Sequence, residues 1–251
     1  MRPRRLIVNA DDLGRTCGLN RGIFEAHERG VVSSATLMVG FAAAEEAARA
    51  LPRYPRLGVG LHLTLSGATP LLPAARVPSL VDEAGRFPAK PEGHRDPDPA
   101  ELEAEIRAQL ARFRELTGRL PTHLDSHHHA HRLPVVCDVV ITLAREHGLP
   151  VRKASSPVGR RLGAAGITTT DAFVEHFFGE EATLEVLLEI FASLAPGSTE
   201  LMCHPGVEDP ELAGSSSYVE ARIREFEVLT HPAVRHELTE ESIELTTFGD
   251  L

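Results

Sequence analysis

The sequence contains no tryptophan and only three cysteines among its 251 residues. Cys17, Cys137 and Cys203 form no recognisable metal-binding or disulfide spacing, so we expect reduced thiols and a cytoplasmic location. Positive charge is also scarce, because 26 Lys plus Arg against 36 Asp plus Glu leave a net charge of −10 with neutral histidines. That sign is wrong for a partner bound through its phosphates, and we therefore expect no nucleic-acid partner.

The sequence also lacks long apolar runs and several common catalytic motifs. No apolar run reaches the roughly 18 residues of a membrane span, and the basic start leads into only a short apolar stretch. Neither a membrane span nor a signal peptide is therefore expected. No serine stands in a nucleophile elbow, and no dinucleotide-binding or Walker-type glycine pattern occurs, which argues against acyl-enzyme, dinucleotide and nucleotide chemistry.

Short β-rich runs alternate with amphipathic helical patterns along the chain. Strands are predicted at 6–10, 35–39, 57–65, 122–126, 150–154, 199–203 and 243–247. Helices are predicted at 19–29, 42–51, 98–116, 134–147, 181–194 and 218–229. This alternation predicts an α/β fold with parallel strands. The chain length suits a closed or nearly closed (β/α) barrel, distorted or seven-stranded, better than an open doubly wound sheet.

The stretch 68–99 contains seven prolines and is too long for a simple strand-to-helix connection. We expect a rim insertion there that acts as a loop or lid. The stretch has too few apolar residues for a core of its own, so residues 1–251 are expected to form a single domain. Asp98 and Pro99 then mark the beginning of the next helix, and Gly118 marks its end.

Two adjacent carboxylates, Asp11 and Asp12, follow directly on the predicted strand 6–10. Catalytic residues of parallel α/β folds gather at the carboxyl ends of strands. Adjacent acids repel unless a cation or a proton lies between them, and a metal ligand beside a general base is one arrangement that resolves this. A helix N-cap acid beside a solvated acid is the structural alternative.

The predicted strand 57–65 alternates cleanly between apolar residues and small or polar ones. Gly58, Gly60, His62 and Thr64 share one face, which points inward in a barrel whose apolar face meets the helices. A single imidazole inside a barrel needs a partner, so His62 is either a metal ligand or a satisfied structural histidine.

A histidine-rich run follows the predicted strand 122–126. His123, Asp125 and His127 share one face of an extended chain, so an acid and an imidazole reach the end of the strand together. His127 is the best candidate for a metal ligand, while Asp125 either binds the ion or fixes the tautomer of a ligating histidine. The alternative is an exposed histidine-rich loop that binds metals weakly.

His204 ends the predicted strand 199–203 and precedes Pro205, whose ring restricts its backbone and so fixes its direction. Such placement suits a general acid. Arg152, on the predicted strand 150–154, either points into the same mouth or makes an outward salt bridge. Together these segments favour metal-assisted hydrolysis, with a divalent ion on one acid and two histidines and a second carboxylate as base.

Four ordered segments resemble the YdjC-like family of carbohydrate deacetylases, which includes chitooligosaccharide deacetylase. These are Asn9-Ala10-Asp11-Asp12-Leu13-Gly14, Gly60-Leu61-His62-Leu63, Thr122-His123-Leu124-Asp125-Ser126-His127-His128-His129 and Met202-Cys203-His204-Pro205-Gly206. The match runs in order over most of the chain. It implies a (β/α)-barrel deacetylase that removes N-acetyl groups from amino sugars, such as those of diacetylchitobiose, with a divalent metal.

The resemblance also implies roles for individual residues. His62 and His127 resemble the family's metal-binding histidines. Asp11 is similar to the base of metal-dependent polysaccharide deacetylases and Asp12 to the third ligand, although the order of the two could be reversed. His204 would protonate the departing amine.

His128 and Asp125 would orient the metal-binding residues, and Arg152 would hold either the substrate or an acid. The family metal is commonly magnesium, and zinc or another transition metal would also suit these donors. A homodimer is expected at family level only.

Three other functions stay open at this point. The amino sugar could be linked to a lipid or another carrier, as in relatives associated with hopanoid assembly. A metal-dependent phosphoesterase could use the same histidines and aspartates. A non-catalytic sugar-binding or metal-binding protein would bind ligand tightly without turnover.

Overall fold

The computed structural model describes residues 2–214 and 217–251, in which seven parallel strands form one sheet. The strands are β1 (Arg4–Leu13), β2 (Ser34–Leu37), β3 (Gly58–Leu63), β4 (Leu124–Ser126), β5 (Ala172–Val174), β6 (Gly197–Cys203) and β7 (Ile243–Leu245). Neighbours follow the order β4-β3-β2-β1-β6-β5, and β7 pairs with the beginning of β1. All ladders are parallel, which confirms the predicted α/β class.

Nine helices lie between the strands in the described parts of the chain. They are α1 (Cys17–Arg29), α2 (Ala44–Ala50), α3 (Pro99–Thr117), α4 (Pro134–His147), α5 (Ser156–Ala164), α6 (Leu184–Ser193), α7 (Pro210–Ala213), α8 (Glu220–Leu229) and α9 (Pro232–Glu240). None of these helices is both long and apolar enough to cross a membrane. The helices α5, α7 and α9 were not predicted, because each is short and carries at most two buried apolar residues.

The sheet forms a half-barrel, and no continuous ladder closes it within the described ranges. The predicted strand 150–154 is wrong in extent, since only a single bridge joins Val151 to Leu124 of β4. The Val151 amide then donates to the Thr168 carbonyl, while β5, which was not predicted, pairs with β6. Pro150 contributes a carbonyl but cannot donate to a ladder, which limits pairing at this edge.

The two faces of the strands have different surroundings. Val59, Leu61 and Leu63 of β3 belong to the apolar core beneath the helices. On the other face, a Cβ on Gly60 would lie 2.4 Å from the His123 ring, so only glycine allows this ring inside the half-barrel. The predicted inward face of this strand is therefore correct.

The proline-rich segment 68–99 follows β3 and contains three short 3-10 turns. Glu105 of α3, which is fully buried, accepts hydrogen bonds from the backbone amides of Leu71 and Leu72 at 2.9 and 3.0 Å. His94 Nε2 lies 2.7 Å from the Leu65 carbonyl oxygen. These contacts anchor the segment to α3 and to the end of β3, and its action as a lid stays a prediction.

Candidate metal centre and active site

Asp11 and Asp12 lie near the carboxyl end of β1, where the strand is irregular. Adjacent residues of a regular strand point to opposite faces of the sheet. Asp12, however, has φ +70°, and the register with β2 shifts between Ala10 and Leu13. This bulge brings both carboxylates near His62. A left-handed backbone at a residue other than glycine costs on the order of 1–3 kcal/mol, and such residues cluster at functional sites.

Asp12, His62 and His127 form a compact group of potential metal ligands. Asp12 Oδ1 lies 3.5 Å from His62 Nε2 and 3.2 Å from His127 Nδ1. This oxygen is buried and has no hydrogen-bond partner among the described residues. A buried carboxylate oxygen without a partner is costly, and one carboxylate with two imidazoles is a donor set that divalent ions prefer. The three side chains therefore fit a divalent cation.

His62 is held from its other side by Asp125. His62 Nδ1 lies 2.7 Å from Asp125 Oδ1, and the Thr36 hydroxyl donates to Asp125 Oδ2 at 3.1 Å. A carboxylate behind a histidine fixes the tautomer and leaves Nε2 for an ion. Burial alone would lower the pKa of His62, but Asp125, Asp11 and Asp12 raise that pKa to about 9. With this pKa, the His62 imidazole carries an extra proton at neutral pH, and a divalent ion at Nε2 would replace it.

The second oxygen of Asp12 accepts a hydrogen bond from Arg222 of α8. Burial would raise the pKa of Asp12, but Arg222 and His127 hold that pKa well below its ordinary value. Burial also lowers the pKa of His127, which favours the neutral imidazole that binds metals. Arg222 thus neutralises one oxygen of Asp12 and leaves the other facing the two histidines.

Asp11 belongs to a second buried group, centred on Arg152. The guanidinium donates to both Asp11 oxygens at 2.6 and 2.7 Å, and its Nη1 lies 2.9 Å from Asp125 Oδ2. Its Nε donates to Glu200 at 2.8 Å. Of the two alternatives for Arg152, the inward one is therefore correct. A second group of potential ligands consists of Asp11, His62 and Asp125. The guanidinium of Arg152 already binds both carboxylates of this group.

The electrostatics around Asp11 follow from this pairing. Burial would raise the pKa of Asp11, but Arg152, His62 and His204 hold that pKa well below its ordinary value. Asp11 is consequently ionised at neutral pH. By contrast, burial raises the pKa of Glu200 to about 7, against the opposing charge of Arg152.

His204 follows β6 and is oriented by residues of α8. Its backbone amide donates to Glu225, which is fully buried, and its Nδ1 lies 3.8 Å from Glu225 Oε1. The rings of Phe178 and Tyr218 meet the imidazole edge-on, with centroids at 5.5 and 5.9 Å. His204 is also one of the groups that lower the pKa of Asp11.

The histidine-rich run after β4 is not a uniformly exposed loop. His127 faces the candidate metal position, and His131 is buried, with Nε2 3.2 Å from the Arg152 carbonyl oxygen. His128 is exposed, packs on the His127 ring at 3.9 Å between centroids, and places Nδ1 3.0 Å from the Ser66 hydroxyl. His128 therefore supports His127 by packing, whereas Asp125 contacts His62 directly.

Sequence reasoning missed Glu200, Arg222 and Glu225. Glu200 is a charged residue inside an apolar strand, which is a signal that the sequence offered. Arg222 and Glu225 are three residues apart on the buried face of α8, where apolar residues are expected. Their partners, Asp12 and His204, lie elsewhere in the sequence, and no local pattern could have identified them.

The amino-acid sequence is similar to a known protein family and to described enzymes. A family model described as YdjC-like protein matches residues 5–240. A carbohydrate deacetylase of Geobacillus stearothermophilus is 43% identical and covers 99% of this chain and 98% of its own length. A chitooligosaccharide deacetylase of Serratia marcescens is 38% identical, with 98% of each chain covered.

Solved structures show the same fold. A crystal structure from Enterococcus faecalis V583, provisionally described as a cellobiose-phosphate cleavage protein, has a TM-score of 0.93 at 35% identity, covering 99% of this chain and 98% of that one. A family 4 acetyl xylan esterase from Clostridium thermocellum, in complex with a cobalt ion, has a TM-score of 0.53 at 12% identity and covers 98% of this chain and 89% of that one. The second likeness concerns the fold alone.

Proposed function

The chain belongs to the YdjC-like protein family, and from that premise we propose that it is a metal-dependent carbohydrate deacetylase acting on N-acetylated amino sugars such as diacetylchitobiose. Relatives that match nearly the whole chain are described as carbohydrate and chitooligosaccharide deacetylases, which supports the reaction class. The observation that carries the proposal is the buried Asp12 Oδ1, which faces two imidazole nitrogens and has no hydrogen-bond partner in the described ranges.

Asp12, His62 and His127 would hold the ion. The resemblance implies magnesium, whereas two imidazoles and one carboxylate are the donors typical of zinc and its neighbours. When bound, a divalent ion would polarise the acetyl carbonyl and stabilise the negative charge that develops on its oxygen. Asp125 keeps the His62 tautomer that presents Nε2, and Arg222 keeps the Asp12 carboxylate ionised and oriented.

Asp11 would act as the general base. Water adds to the acetyl carbonyl carbon, and the proton that it loses passes to the Asp11 carboxylate. Arg152 holds this carboxylate through two hydrogen bonds and keeps it ionised, so it is ready to accept a proton at neutral pH. The same contacts lower its basicity, and proton transfer therefore depends on the acidity that the water gains as it attacks.

His204 would act as the general acid. The bond between the carbonyl carbon and the sugar nitrogen breaks as the nitrogen receives a proton from the imidazole, which releases acetate and a free amino sugar. Glu225 fixes the backbone of His204 and places a carboxylate 3.8 Å from its Nδ1.

Release of acetate from diacetylchitobiose by the purified protein tests the proposal. Two further substrates, a glycolipid that carries N-acetylhexosamine and an aryl phosphate, should be assayed in parallel. Acetate release from the free disaccharide is the expected result. Acetate from the glycolipid alone would correct the substrate, whereas cleavage of the aryl phosphate without acetate from either sugar would refute deacetylation in favour of phosphoester chemistry.

A further inference from the structure

Phe178 is an exposed aromatic residue beside the candidate site. Among the described residues only Leu120, Phe178 and Leu245 are large apolar side chains with about two fifths or more of their surface exposed, at 40%, 45% and 39%. Leu120 precedes β4 and Leu245 pairs with the beginning of β1, so both lie at the opposite end of the strands. Phe178 instead lies with its ring centroid 5.5 Å from that of His204.

Tyr218 covers one face of the Phe178 ring, and we call the opposite face the open face. The ring stacks on Tyr218 with 4.3 Å between centroids and 7° between planes, so one face is covered and the exposed surface belongs to the rest of the ring. Tyr218 is itself fixed, since its hydroxyl accepts from the Gly179 amide at 2.7 Å and donates to Glu225 at 2.6 Å. Phe178 thus lies on a rigid support rather than on a loose side chain.

The residues that support this aromatic pair also hold the site. Glu225 binds the Tyr218 hydroxyl and the backbone amide of His204. Arg222 donates to Asp12, and its guanidinium lies 5.5 Å from the centroid of the Tyr218 ring. A ligand ring on the open face of Phe178 would therefore lie next to His204, the candidate proton donor.

We propose that the open face of Phe178 is the binding surface for the pyranose ring that carries the departing nitrogen. This inference rests on the proposed function and adds the place where the sugar binds. The faces of a pyranose ring carry C–H groups, and these pack well on an aromatic face, which is flat, apolar and electron-rich. A sugar ring in this position places its amine beside His204, where a proton is needed when the C–N bond breaks.

Sugar binding to the metal-free protein tests this inference without relying on turnover. The affinity for diacetylchitobiose is measured by calorimetry in the presence of a chelator for the wild type, Phe178→Leu and Phe178→Tyr. The leucine retains an apolar contact with Tyr218 but lacks a flat face, and we expect affinity to fall about tenfold. The tyrosine keeps the ring, and its affinity should stay within about twofold of the wild type. Leu120→Ala, an equally exposed site at the other end, is the matched control.

Kinetics with the metal-loaded protein give the second readout. In Phe178→Leu the KM for the disaccharide should rise about tenfold while kcat changes by less than about threefold, because a binding surface acts equally on ground and transition states. Unchanged affinity and KM in Phe178→Leu, or an equal loss in Leu120→Ala, would overturn the inference. Sugar binding that depends on Phe178 without any acetate release would refute deacetylation but support the binding surface. Acetate release with an unchanged KM in Phe178→Leu would support deacetylation but refute the binding surface.

Discussion

Asp12 combines three features that rarely occur in one residue. Its backbone is left-handed, its side chain is buried, and its two oxygens have different surroundings. Arg222 binds Oδ2, whereas Oδ1 faces the nitrogen atoms of His62 and His127. The division explains why a carboxylate with an arginine partner still offers an oxygen to an ion. Asp11, one residue earlier, has both oxygens engaged by Arg152 and offers none to an ion, which leaves it the proposed role of base.

Replacement of His127, compared with replacement of His128, tests whether His127 is a metal ligand. His127→Ala removes a nitrogen from the candidate metal group, and we expect metal affinity to fall by about 100-fold or more, with activity falling in parallel. His128→Ala removes the packing contact with His127 and the contact with the Ser66 hydroxyl but no candidate ligand, so its metal affinity should stay within about tenfold of the wild type. Calorimetric metal titration of both variants checks this. Full metal binding in His127→Ala would show that the ion binds elsewhere.

Replacement of Asp11 separates metal binding from proton transfer. Asp11→Asn cannot accept the proton of the attacking water, and kcat should fall by about 100-fold to 10,000-fold. The ion should still bind, since Asp12, His62 and His127 are unchanged. Metal content and steady-state rates measured on the same preparation check this expectation. Simultaneous loss of metal and activity would mean that the roles of Asp11 and Asp12 are exchanged.

Glu200 should make stability depend on pH. Its folded pKa of about 7 lies above the ordinary 4.5, so the folded protein binds this proton more tightly than the unfolded chain does. That stabilisation is complete below about pH 4.5 and is lost as the pH rises through about 7, and it amounts to on the order of 3 kcal/mol. Glu200→Gln is neutral at every pH.

Urea unfolding of the wild type and Glu200→Gln, compared at about pH 5 and pH 8, isolates this contribution. The free energy of unfolding of the variant, relative to that of the wild type, should rise between the two pH values. A difference that does not change with pH would mean that Glu200 stays ionised beside Arg152 over the whole range.

Elements with complete local signals could be predicted from the sequence. Helix α3 begins at Pro99 after the N-cap Asp98, which accepts from the Ala100 amide at 2.7 Å, and it ends before Gly118 at φ +71°. Its boundaries therefore follow from its own residues. The region 150–174 could not be predicted correctly, because its hydrogen bonds reach distant residues. Leu124 bonds to the Pro150 carbonyl and the Arg152 amide, and the Val151 amide donates to Thr168, which no local pattern shows.

Helix α3 also anchors the proline-rich segment, and this contact can be tested. Glu105→Gln exchanges one of the two acceptor oxygens for an amide group that cannot accept from a backbone N–H, so we expect a loss of about 1–3 kcal/mol in the free energy of unfolding. Faster hydrogen exchange at the Leu71 and Leu72 amides should accompany it. Glu115→Gln, exposed on the same helix, is the control and should change stability by less than about 0.5 kcal/mol. Equal losses in both variants would exclude a specific anchor.

Across the whole molecule, the candidate site is assembled at one end of the parallel sheet. Residues from β1, β3, β4 and β6 meet there with Arg222 and Glu225 of α8. The candidate ligands could be predicted because strand ends carry function in such folds. The residues that orient these ligands could not be predicted, since each orienting residue is distant in the sequence from the residue that it contacts. Single-domain organisation, cytoplasmic location and a homodimer stay predictions.

Acetate release from diacetylchitobiose, measured while metal-free protein is titrated with one divalent ion, tests the central claim most directly. If one group of three ligands binds one ion, no acetate should be released in the presence of a chelator. The rate of acetate release should then rise with added ion and saturate at about one equivalent of a tightly bound ion. Full release in the presence of a chelator, from protein shown to contain no metal, would contradict the account.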